Sequence, residues 1–358
     1  MGGGGYEQVV FCHDGPTGLR AIVAIHSTRL GPALGGTRFF PYRSEDDALE
    51  DVLRLARGMT YKAAVAGLDL GGGKAVIIGD PATDKTEALL RAYGRFVDSL
   101  GGRYITAEDV GTTQPDMDVI RRETTQVTGV SRYLGGSGDP SAATAYGVLH
   151  AMKAVARHLW GTTVLQDRHV VVSGVGKVGY HLARHLVEER ARVTVSDVSP
   201  AALDRAATEL GVEVAPVEKA HAVECDVFSP CALGGALHAG TIAELRCAAV
   251  VGCANNQLAD RACVQLLEEA GVLYAPDYVV NAGGVINIAE ELRGYHRQRA
   301  YANVRRIFDT TAAVLAAAQT GKITTTVAAD RMAERRMDQL SRTQLIRTFP
   351  RPRRPNER

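Results

Sequence analysis

A glycine-rich motif in the second half of the chain constrains the fold most strongly. It leaves a β-branched, strand-like segment, RHVVVSGV, and opens a helix-like segment, KVGYHLARHLVEER. Its GxGxxG pattern is formed by Gly174, Val175, Gly176, Lys177, Val178 and Gly179. The glycines allow a tight turn and let a pyrophosphate approach the N–H groups at the helix N-terminus. The pattern therefore predicts a dinucleotide site, and the alternative is a glycine-rich strand-to-helix turn without a ligand.

Asp197 indicates which dinucleotide this site would bind. It closes the next strand-like segment, 18 positions after Gly179, where a carboxylate would accept hydrogen bonds from ribose hydroxyls. A carboxylate at this position repels the 2′-phosphate of NADP, and no arginine follows until Arg205. We therefore expect NAD as the cofactor.

Strand-like and helix-like segments alternate on both sides of a glycine-rich passage, GGSGDPSAATAYGV, which begins at Gly135. Such alternation predicts an α/β fold, and the 358 residues are enough for two domains. We expect an N-terminal α/β substrate-binding and catalytic domain over residues 1–138. A Rossmann-type, doubly wound NAD-binding domain would follow over 139–310. Residues 311–340 would form a helical segment that packs back on the first domain, and the Arg- and Pro-rich residues 341–358 a disordered tail.

Individual elements can also be predicted. In the first part, EQVVFCHD and LRAIVAIHST flank a GPTG turn, which predicts a hairpin. Ser44 followed by Asp47 resembles a capping box and predicts a helix start. KAVIIGD predicts a strand, followed by a helix from about Asp84 and a strand at RYITAEDVG. In the second part we expect strands at ARVTVSDV, VECDVFSP, CAAVVGC and YAPDYVVNAGGV, and a helix begun by Ser199.

Composition and charge exclude several classes of protein. The formal net charge of +1 gives no electrostatic reason to expect nucleic acid or an acidic membrane as a partner. No apolar stretch approaches the ~18 residues of a spanning helix, and the start MGGGGYEQVV lacks the basic and apolar parts of a signal peptide. We therefore expect a cytoplasmic protein that binds small molecules. The six cysteines form no CxxC pair, and the ten histidines show no metal-binding spacing, so we expect no metal site.

A lysine stands where the sequence predicts burial. Residues 67–80 read GLDLGGGKAVIIGD, in which three glycines and Lys74 precede an apolar, strand-like run. Burial disfavours the charged form, so Lys74 either extends to water or a carboxylate, or has a lowered pKa and acts as a base. In the second case the glycines would let a small ligand come close to the backbone. This segment alone leaves both interpretations open.

Several longer segments resemble one enzyme family. They are GPALGGTR, ARGMTYKAAVAGLDLGGGKAVIIGDP, TAEDVGT, PCALGGAL, GCANNQL and APDYVVNAGGV, and with GVGKVG they extend from about Glu7 to about Met337. These motifs resemble the amino-acid dehydrogenases of the Glu/Leu/Phe/Val family, and among its members the chain is most similar to the valine dehydrogenases. The resemblance implies an active site in the cleft between the two domains.

The resemblance also implies roles for three residues of the first domain. Lys62 matches the lysine that binds the substrate carboxylate, Lys74 matches the catalytic lysine, and Asp109 matches the acid–base carboxylate beside the substrate amine. Oxidation of an α-amino acid removes a hydride from Cα, and water then attacks the resulting imine. A lysine that is neutral because a second cation shares its site suits this chemistry. Taken singly, Lys62 and Asp109 could instead form a structural ion pair.

Further positions match residues that contact substrate or cofactor in the family. Asn281 matches the asparagine that positions the substrate near the nicotinamide, although alone it could simply make turn hydrogen bonds. Gly36 and Met59 match residues that line the substrate cleft. The side-chain pocket maps onto four apolar positions: Leu34, Ala107, Val285 and Ile288. The cofactor is contacted at positions that correspond to Thr144, Asn255 and Asn256.

The expected activity is NAD-dependent, reversible oxidative deamination of L-valine and related branched-chain amino acids to 2-oxo acids and ammonia. Ile288 stands where leucine dehydrogenases typically have valine, so it would shrink the pocket, unless it only packs its helix. Phenylalanine or leucine dehydrogenase is the alternative, and a non-catalytic NAD-binding regulator is a remote one. Glutamate is disfavoured because the mapped pocket offers no cation for a second carboxylate. The family implies a homo-oligomer, either a dimer or an octamer.

Overall fold

A five-stranded sheet organises the N-terminal part of the structure, which is a computed structural model that describes residues 5–341. The first two strands form the predicted antiparallel hairpin, through a 3-10 turn at Gly15–Thr17. The third and fourth strands are parallel, as are the third and fifth. The sheet has the order β1-β2-β4-β3-β5, with strands β1 (Gln8–Asp14), β2 (Leu19–Ser27), β3 (Ala33–Phe40), β4 (Gly71–Ile78) and β5 (Tyr104–Glu108).

The sequence does not predict β3, although this strand lies between β4 and β5. Two adjacent glycines interrupt its apolar pattern, and glycine is unfavourable in strands. Both are required here by close backbone approach. A Cβ on Gly35 would stand 1.7 Å from the Gly73 carbonyl oxygen, and one on Gly36 would stand 2.4 Å from the Glu108 carbonyl oxygen.

Helices cover both faces of this sheet: α1 (Glu45–Val65), α2 (Glu87–Ser99) and α3 (Gln114–Ile120). Ser44 caps α1 as predicted, since its side chain accepts a hydrogen bond from the Asp47 N–H at 3.0 Å. One core joins α1 to the sheet through residues such as Val52, Ala56 and Val76. A larger core joins α2 and α3 to the opposite face. The helix expected from about Asp84 begins at Glu87, capped by Thr86.

The three glycines that precede Lys74 face other parts of the protein. A Cβ on Gly71 would stand 1.9 Å from the Ser27 carbonyl oxygen, and one on Gly72 would stand 2.0 Å from the Thr60 nitrogen of α1. A Cβ on Gly73 would stand 2.8 Å from the Tyr104 ring. Packing within the protein is therefore enough to explain these glycines without a ligand.

A six-stranded parallel sheet organises the second part. Its order is β8-β7-β6-β9-β10-β11, with strands β6 (His169–Ser173), β7 (Arg192–Ser196), β8 (Glu213–Val214), β9 (Val227–Pro230), β10 (Ala249–Val250) and β11 (Leu273–Tyr274). This is the strand order of the doubly wound dinucleotide-binding fold, with the first strand of the unit, β6, at its centre. The predicted fold class, α/β with two domains and a Rossmann-type sheet, is confirmed.

The remaining helices are α4 (Ser141–Trp160), α5 (Lys177–Glu188), α6 (Pro200–Leu210), α7 (Ala239–Glu244), α8 (Cys263–Glu269), α9 (Asp277–Val280), α10 (Gly283–Ala289), α11 (Arg297–Arg305), α12 (Ile307–Gly321) and α13 (Thr325–Ser341). Ser199 caps α6 as predicted. The strand expected at YAPDYVVNAGGV is wrong beyond its first residue: β11 ends at Tyr274, and Val279 and Val280 lie in α9. Both valines are buried, and burial in the tertiary structure outweighs their β propensity.

The described chain divides into two compact units. The first contains residues 5–139, Ile288–Arg297 and 333–341, and the second contains Pro140–Asn287 and Gln298–Met332. The first division falls within the glycine-rich passage that begins at Gly135. Nearly all of the predicted disordered tail lies outside the described residues. Within residues 5–341, no helix combines the length and the apolar character needed to cross a membrane.

Candidate active site

Lys74 lies on β4, on the sheet face that α1 covers, and it is only 7% exposed. The register pairs Leu34 with Gly72 and Thr37 with Ala75, so Lys74 lies beside Gly36, which in turn pairs with Ala107. Neighbouring residues of parallel strands in register point to the same face. Lys74, Gly36 and Ala107 therefore form a row across the sheet, and Leu34 lies on the same face one row away.

Asp109 follows the end of β5 and turns towards Lys74. Its carboxylate forms an ion pair with the Lys74 ammonium group. Gly36 makes this approach possible, because a Cβ at that position would stand 3.0 Å from the Cβ of Asp109. The Val110 N–H donates to Asp109 Oδ1 at 2.6 Å, and the Asp109 N–H donates to Thr112 Oγ1 at 2.8 Å. The two residues predicted to be catalytic are thus brought together in the first unit.

Arg38 stands next to this pair, two residues after Gly36 on β3. Its Nη1 donates to Asp51 Oδ2 at 2.8 Å, and its Nη2 lies 3.7 Å from Asp109 Oδ1. Asp51 belongs to α1 and also accepts hydrogen bonds from Tyr42 at 2.6 Å and from Arg54 at 2.6 Å. Burial would raise the pKa of Asp51, but the Tyr42 hydroxyl and the two arginines hold it below its ordinary value.

Opposing influences set the charge of Lys74. Contact with the Asp109 carboxylate favours the ammonium form, whereas burial and nearby cations disfavour it. Burial dominates and, together with the positive charges of Arg38 and Lys62, lowers the pKa of Lys74 from 10.5 to about 7. A substantial fraction of Lys74 is therefore neutral near pH 7 and can accept a proton.

The other predicted substrate residues of the first unit are more spread out. Lys62 and Met59 are one helical turn apart near the end of α1, and both are half-buried. The charge of Lys62 acts on Lys74, as expected from the sequence. Ile288 is half-buried and belongs to the first unit through the segment Ile288–Arg297. Among the predicted pocket residues, Leu34 and Ala107 are buried on neighbouring rows of the sheet.

The second unit carries the glycine motif at the turn from β6 to α5. Gly174 has a positive φ of 105° and makes the tight turn. A Cβ on Gly179 would stand 1.9 Å from the Gly174 carbonyl oxygen, so the third glycine permits close packing of helix and strand. A Cβ on Gly176, the N-cap of α5, would meet no atom of the described residues within 4 Å. This open position at a helix N-terminus fits a pyrophosphate, so these residues fit a dinucleotide.

Asp197 follows β7 and holds the same turn. Its Oδ2 accepts a hydrogen bond from the Val175 N–H at 2.7 Å, and its Oδ1 accepts one from the Ser199 N–H at 2.9 Å. A carboxylate oxygen has more than one lone pair, so these bonds leave capacity to accept from ribose hydroxyls. Lys177 and Val178 form the first turn of α5, where Lys177 is exposed.

Asn281 is buried at the end of α9, where its Nδ2 donates to Asn255 Oδ1 at 2.9 Å and to the Cys253 carbonyl at 3.2 Å. Its Oδ1 is buried without a hydrogen-bond partner among the described residues, so it is available as an acceptor.

Other residues of the second unit are also predicted to contact substrate or cofactor. Asn256 is exposed with a positive φ of 52°, and Val285 is buried in α10. A Cβ on Gly284, the residue before Val285, would stand 2.8 Å from Thr144 Oγ1.

Arg38 and Asp51 are the site residues that the sequence does not predict. Arg38 belongs to the GPALGGTR motif, but its role is visible only once β3 is known to be a strand. Alternation along β3 then places Gly36 and Arg38 on one face, beside Lys74. No pattern in the sequence connects Asp51 of α1 to Arg38 of β3.

Comparisons with known proteins agree with this architecture. The family model described as Glu/Leu/Phe/Val dehydrogenase, dimerisation domain, matches residues 6–126. The model described as Glutamate/Leucine/Phenylalanine/Valine dehydrogenase matches residues 135–210 and 201–344. The two matches together span most of the chain.

Individual proteins are similar over nearly their whole length. Leucine dehydrogenase of Geobacillus stearothermophilus is 55% identical over 333 residues, which cover 93% of this chain and 91% of that protein. Valine dehydrogenase of Streptomyces coelicolor is 54% identical over 338 residues, which cover 93% of each. The crystal structure of L-tryptophan dehydrogenase from Nostoc punctiforme superposes with a TM-score of 0.84 at 44% identity, covering 94% of this chain and 97% of that one.

Proposed function

The chain belongs to the Glu/Leu/Phe/Val dehydrogenase family, and from that premise we propose that it catalyses NAD-dependent oxidative deamination of L-valine and related branched-chain amino acids. The reaction yields a 2-oxo acid and ammonia and is reversible. The observation that carries the proposal is the buried pair of Lys74 and Asp109, flanked by Arg38 and Lys62. It offers a base that is neutral near pH 7 beside a carboxylate.

Lys74 would act as the general base that activates water. The water attacks the imine carbon after the hydride has left Cα, and its proton passes to the Nζ of neutral Lys74. The surroundings support this role, because a pKa of about 7 places the base near the working pH. The protonated amine then releases this proton to solvent, and the neutral Lys74 accepts the proton of the carbinolamine hydroxyl as the C–N bond breaks.

Asp109 would move the proton of the substrate amine. Its carboxylate carries a negative charge that favours an ammonium-bearing substrate over a hydroxy acid. Asp109 would accept a proton from the substrate ammonium before the hydride leaves, and the resulting carboxylic acid would return this proton to the departing nitrogen as the carbinolamine breaks down. The hydrogen bond that its carboxylate accepts from the Val110 N–H, and the one that its own N–H donates to Thr112 Oγ1, fix the loop that carries it.

Lys62 would bind the substrate carboxylate, because it is a partly exposed cation whose charge reaches Lys74. A fixed cation at this place does two things. It anchors the substrate, and it disfavours a second positive charge on Lys74. The remaining substrate contacts would come from Gly36, Met59 and Asn281.

NAD is the proposed cofactor, and when bound it would accept the hydride from Cα. The chain would hold its pyrophosphate at the turn formed by residues 174–179, with Asp197 at the adenosine ribose. Thr144, Asn255 and Asn256 would make further contacts. The carboxylate of Asp197 supports NAD over NADP, since a 2′-phosphate beside it would be repelled.

The preferred side chain is proposed from the apolar pocket residues, Leu34, Ala107, Val285 and Ile288. Isoleucine at the last position supports valine, because an additional methyl group reduces the space for a longer substrate. L-leucine is the second candidate, favoured by 55% identity to a leucine dehydrogenase. We further propose a homo-oligomer, supported by the dimerisation domain that matches residues 6–126.

A substrate panel tests this proposal. Purified protein is mixed with NAD or NADP and with L-valine, L-leucine, 2-aminobutyrate, L-phenylalanine or L-glutamate at alkaline pH, and NADH or NADPH formation is followed by absorbance. We expect kcat/KM to be highest for L-valine with NAD. A higher value for L-leucine would replace the proposed substrate with the second candidate. No reduction with any amino acid would refute the proposed enzyme.

A further inference from the structure

A chain of alternating charges crosses from α1 to the site. It begins at Asp51 on α1, continues through Arg38 on β3 and Asp109 after β5, and ends at Lys74 on β4. The bond between Arg38 and Asp51 is short, at 2.8 Å, whereas Arg38 stands 3.7 Å from Asp109 Oδ1. The other oxygen of Asp109 pairs with Lys74. The four residues come from four different elements.

We propose that Arg38 is a positioning residue for the reaction: anchored by Asp51, its guanidinium acts together with the Val110 N–H to hold one carboxylate oxygen of Asp109 so that the other faces Lys74. This inference rests on the proposed function, because Lys74 and Asp109 are the residues on which Arg38 acts. Arg38 does not need to touch the substrate for this role.

The geometry separates this role from that of an ordinary ion pair. The Nε of Arg38 is buried and has no hydrogen-bond partner among the described residues, which costs free energy. Asp51 is already satisfied by Tyr42 and Arg54, so it would keep two partners without Arg38. The second neighbour of Arg38 is Asp109, whose Oδ1 lies 3.7 Å from Nη2, so the charge of Arg38 also acts on Asp109.

The charges around Lys74 give this role a measurable signature. Lys74 is faced by Arg38 from β3, by Asp51, Arg54 and Lys62 from α1 and by Asp109 after β5, while its neighbour on β2 is the apolar Ala24. Arg38 disfavours the protonated amine, whereas Asp51 favours it. Removal of these two charges should therefore change the titration of Lys74 in opposite directions.

The protonation of Lys74 can be measured as a function of pH without following the catalysed reaction. The rate of acetylation of Lys74 by acetic anhydride, quantified by peptide mass spectrometry as a function of pH, reports its neutral fraction. In Arg38→Gln the midpoint should rise by about one pH unit, as expected for loss of one unit charge a few ångströms away. In Asp51→Asn the midpoint should fall. Arg38→Lys keeps the charge and should leave the midpoint near that of the wild type.

Kinetics test the positioning itself. Because Asp109 would lose part of its support, we expect kcat of Arg38→Gln to fall about 10- to 100-fold. The acid limb of its pH profile should move with the labelling midpoint. Arg38→Lys should recover the profile but only part of kcat, because an ammonium lacks the planar fork of a guanidinium.

Arg91→Gln is the matched control. Arg91 also pairs with two carboxylates, Glu87 and Glu123, but on α2 at the opposite face of the sheet. Arg91→Gln removes one positive charge, as Arg38→Gln does, and should change neither the labelling midpoint of Lys74 nor the pH profile. Thermal unfolding of each variant reports how much protein is folded at the assay temperature.

The outcomes separate this inference from the proposed function. If wild-type protein oxidises amino acids but Arg38→Gln keeps the wild-type midpoint and profile, the inference is wrong and the function stands. If wild-type protein oxidises none, the function fails, and the labelling midpoints still decide whether Arg38 controls Lys74. Should Arg38→Gln fail to fold, Asp51→Asn and Arg38→Lys decide, since a midpoint that does not fall in Asp51→Asn contradicts the inference.

Discussion

At the scale of single residues, burial of Lys74 lowers the stability of the fold but gives this residue a pKa that suits its proposed catalytic role. Burial of an amine that must be neutral to accept a proton lowers its pKa from 10.5 to about 7. The same burial makes the folded state bind a proton less readily than the unfolded chain. A site of this kind destabilises the fold at neutral pH, and replacing the lysine should expose that cost.

Lys74→Met should therefore stabilise the protein while abolishing turnover. Between pH 7 and 10.5 the unfolded chain binds more protons than the folded one, so the cost of Lys74 is full below about pH 7 and fades towards pH 10.5. At ~1.4 kcal/mol per pKa unit this cost is at most about 5 kcal/mol. Loss of the ion pair with Asp109 offsets part of it, so we expect the free energy of unfolding to rise by about 1–3 kcal/mol at pH 7.

Urea unfolding at pH 7 and at pH 10 measures this effect. The gain from Lys74→Met should be smaller at pH 10. A variant that is less stable than the wild type at pH 7, or a gain that grows with pH, would show that the pKa of Lys74 is not lowered in the folded state.

Lys62→Ala should affect binding more than chemistry. If Lys62 holds the substrate carboxylate, its loss should raise KM for the amino acid by about 10- to 100-fold, the value of one charge-assisted hydrogen bond. Affinity for NAD, measured by calorimetry, should stay within about twofold, because no charge of the second unit is changed. An unchanged KM would contradict the assigned role.

At the scale of elements, glycines account for both what could be predicted and what could not. Runs of β-branched residues predict β6 and β7 correctly, because a buried parallel strand needs such residues. In β3, Gly35 and Gly36 interrupt the apolar pattern, so neither the strand nor the position of Arg38 could be predicted from the sequence. In β4 the three glycines suggest a ligand site from sequence, but Ser27, Thr60 and Tyr104 occupy the space around them.

Two alanine substitutions in this region should have opposite effects. In Gly72→Ala the new methyl group would meet the backbone of α1 at 2.0 Å, and overpacking should lower the free energy of unfolding by about 1–3 kcal/mol or more. Gly58 lies within α1, and a Cβ there meets no described atom within 4 Å. Gly58→Ala should therefore raise the free energy of unfolding by about 0.5–1 kcal/mol. Urea unfolding of both variants tests this, and a neutral Gly72→Ala would contradict the close packing of α1 on β4.

The glycine motif of the second unit offers a separate test. A methyl group on Gly176 has space within the described protein but would stand where the pyrophosphate approaches. Gly176→Ala should keep the wild-type unfolding midpoint while weakening NAD binding by about tenfold or more, equivalent to ~1.4 kcal/mol. Calorimetric titration with NAD measures this, and wild-type affinity would argue against pyrophosphate binding at this turn. Gly58→Ala, in the first unit, is the control.

At the scale of the whole molecule, the sequence predicts the two-domain α/β fold and assigns Lys74 and Asp109 to one catalytic site, but it does not predict the ion pair between them. Long motifs in a fixed order carry that information, because each contains a chemically distinctive side chain in or beside a strand. The contact between Asp51 and Arg38 could not be predicted in this way. This contact joins α1 to β3, a strand that its local sequence does not predict. Such contacts depend on how elements pack in the tertiary structure.

The proposed oxidation of amino acids depends on two residues of the first unit: Lys74 as the base, and Asp109 as the carboxylate that suits an amine. The most direct test is the stoichiometry of products when wild-type protein acts on L-valine and NAD. NADH is measured by absorbance, ammonia by a coupled enzymatic assay, and 3-methyl-2-oxobutanoate by chromatography. We expect equal amounts of all three, with none formed from the corresponding 2-hydroxy acid. Formation of NADH without ammonia, or equal activity on the hydroxy acid, would contradict it.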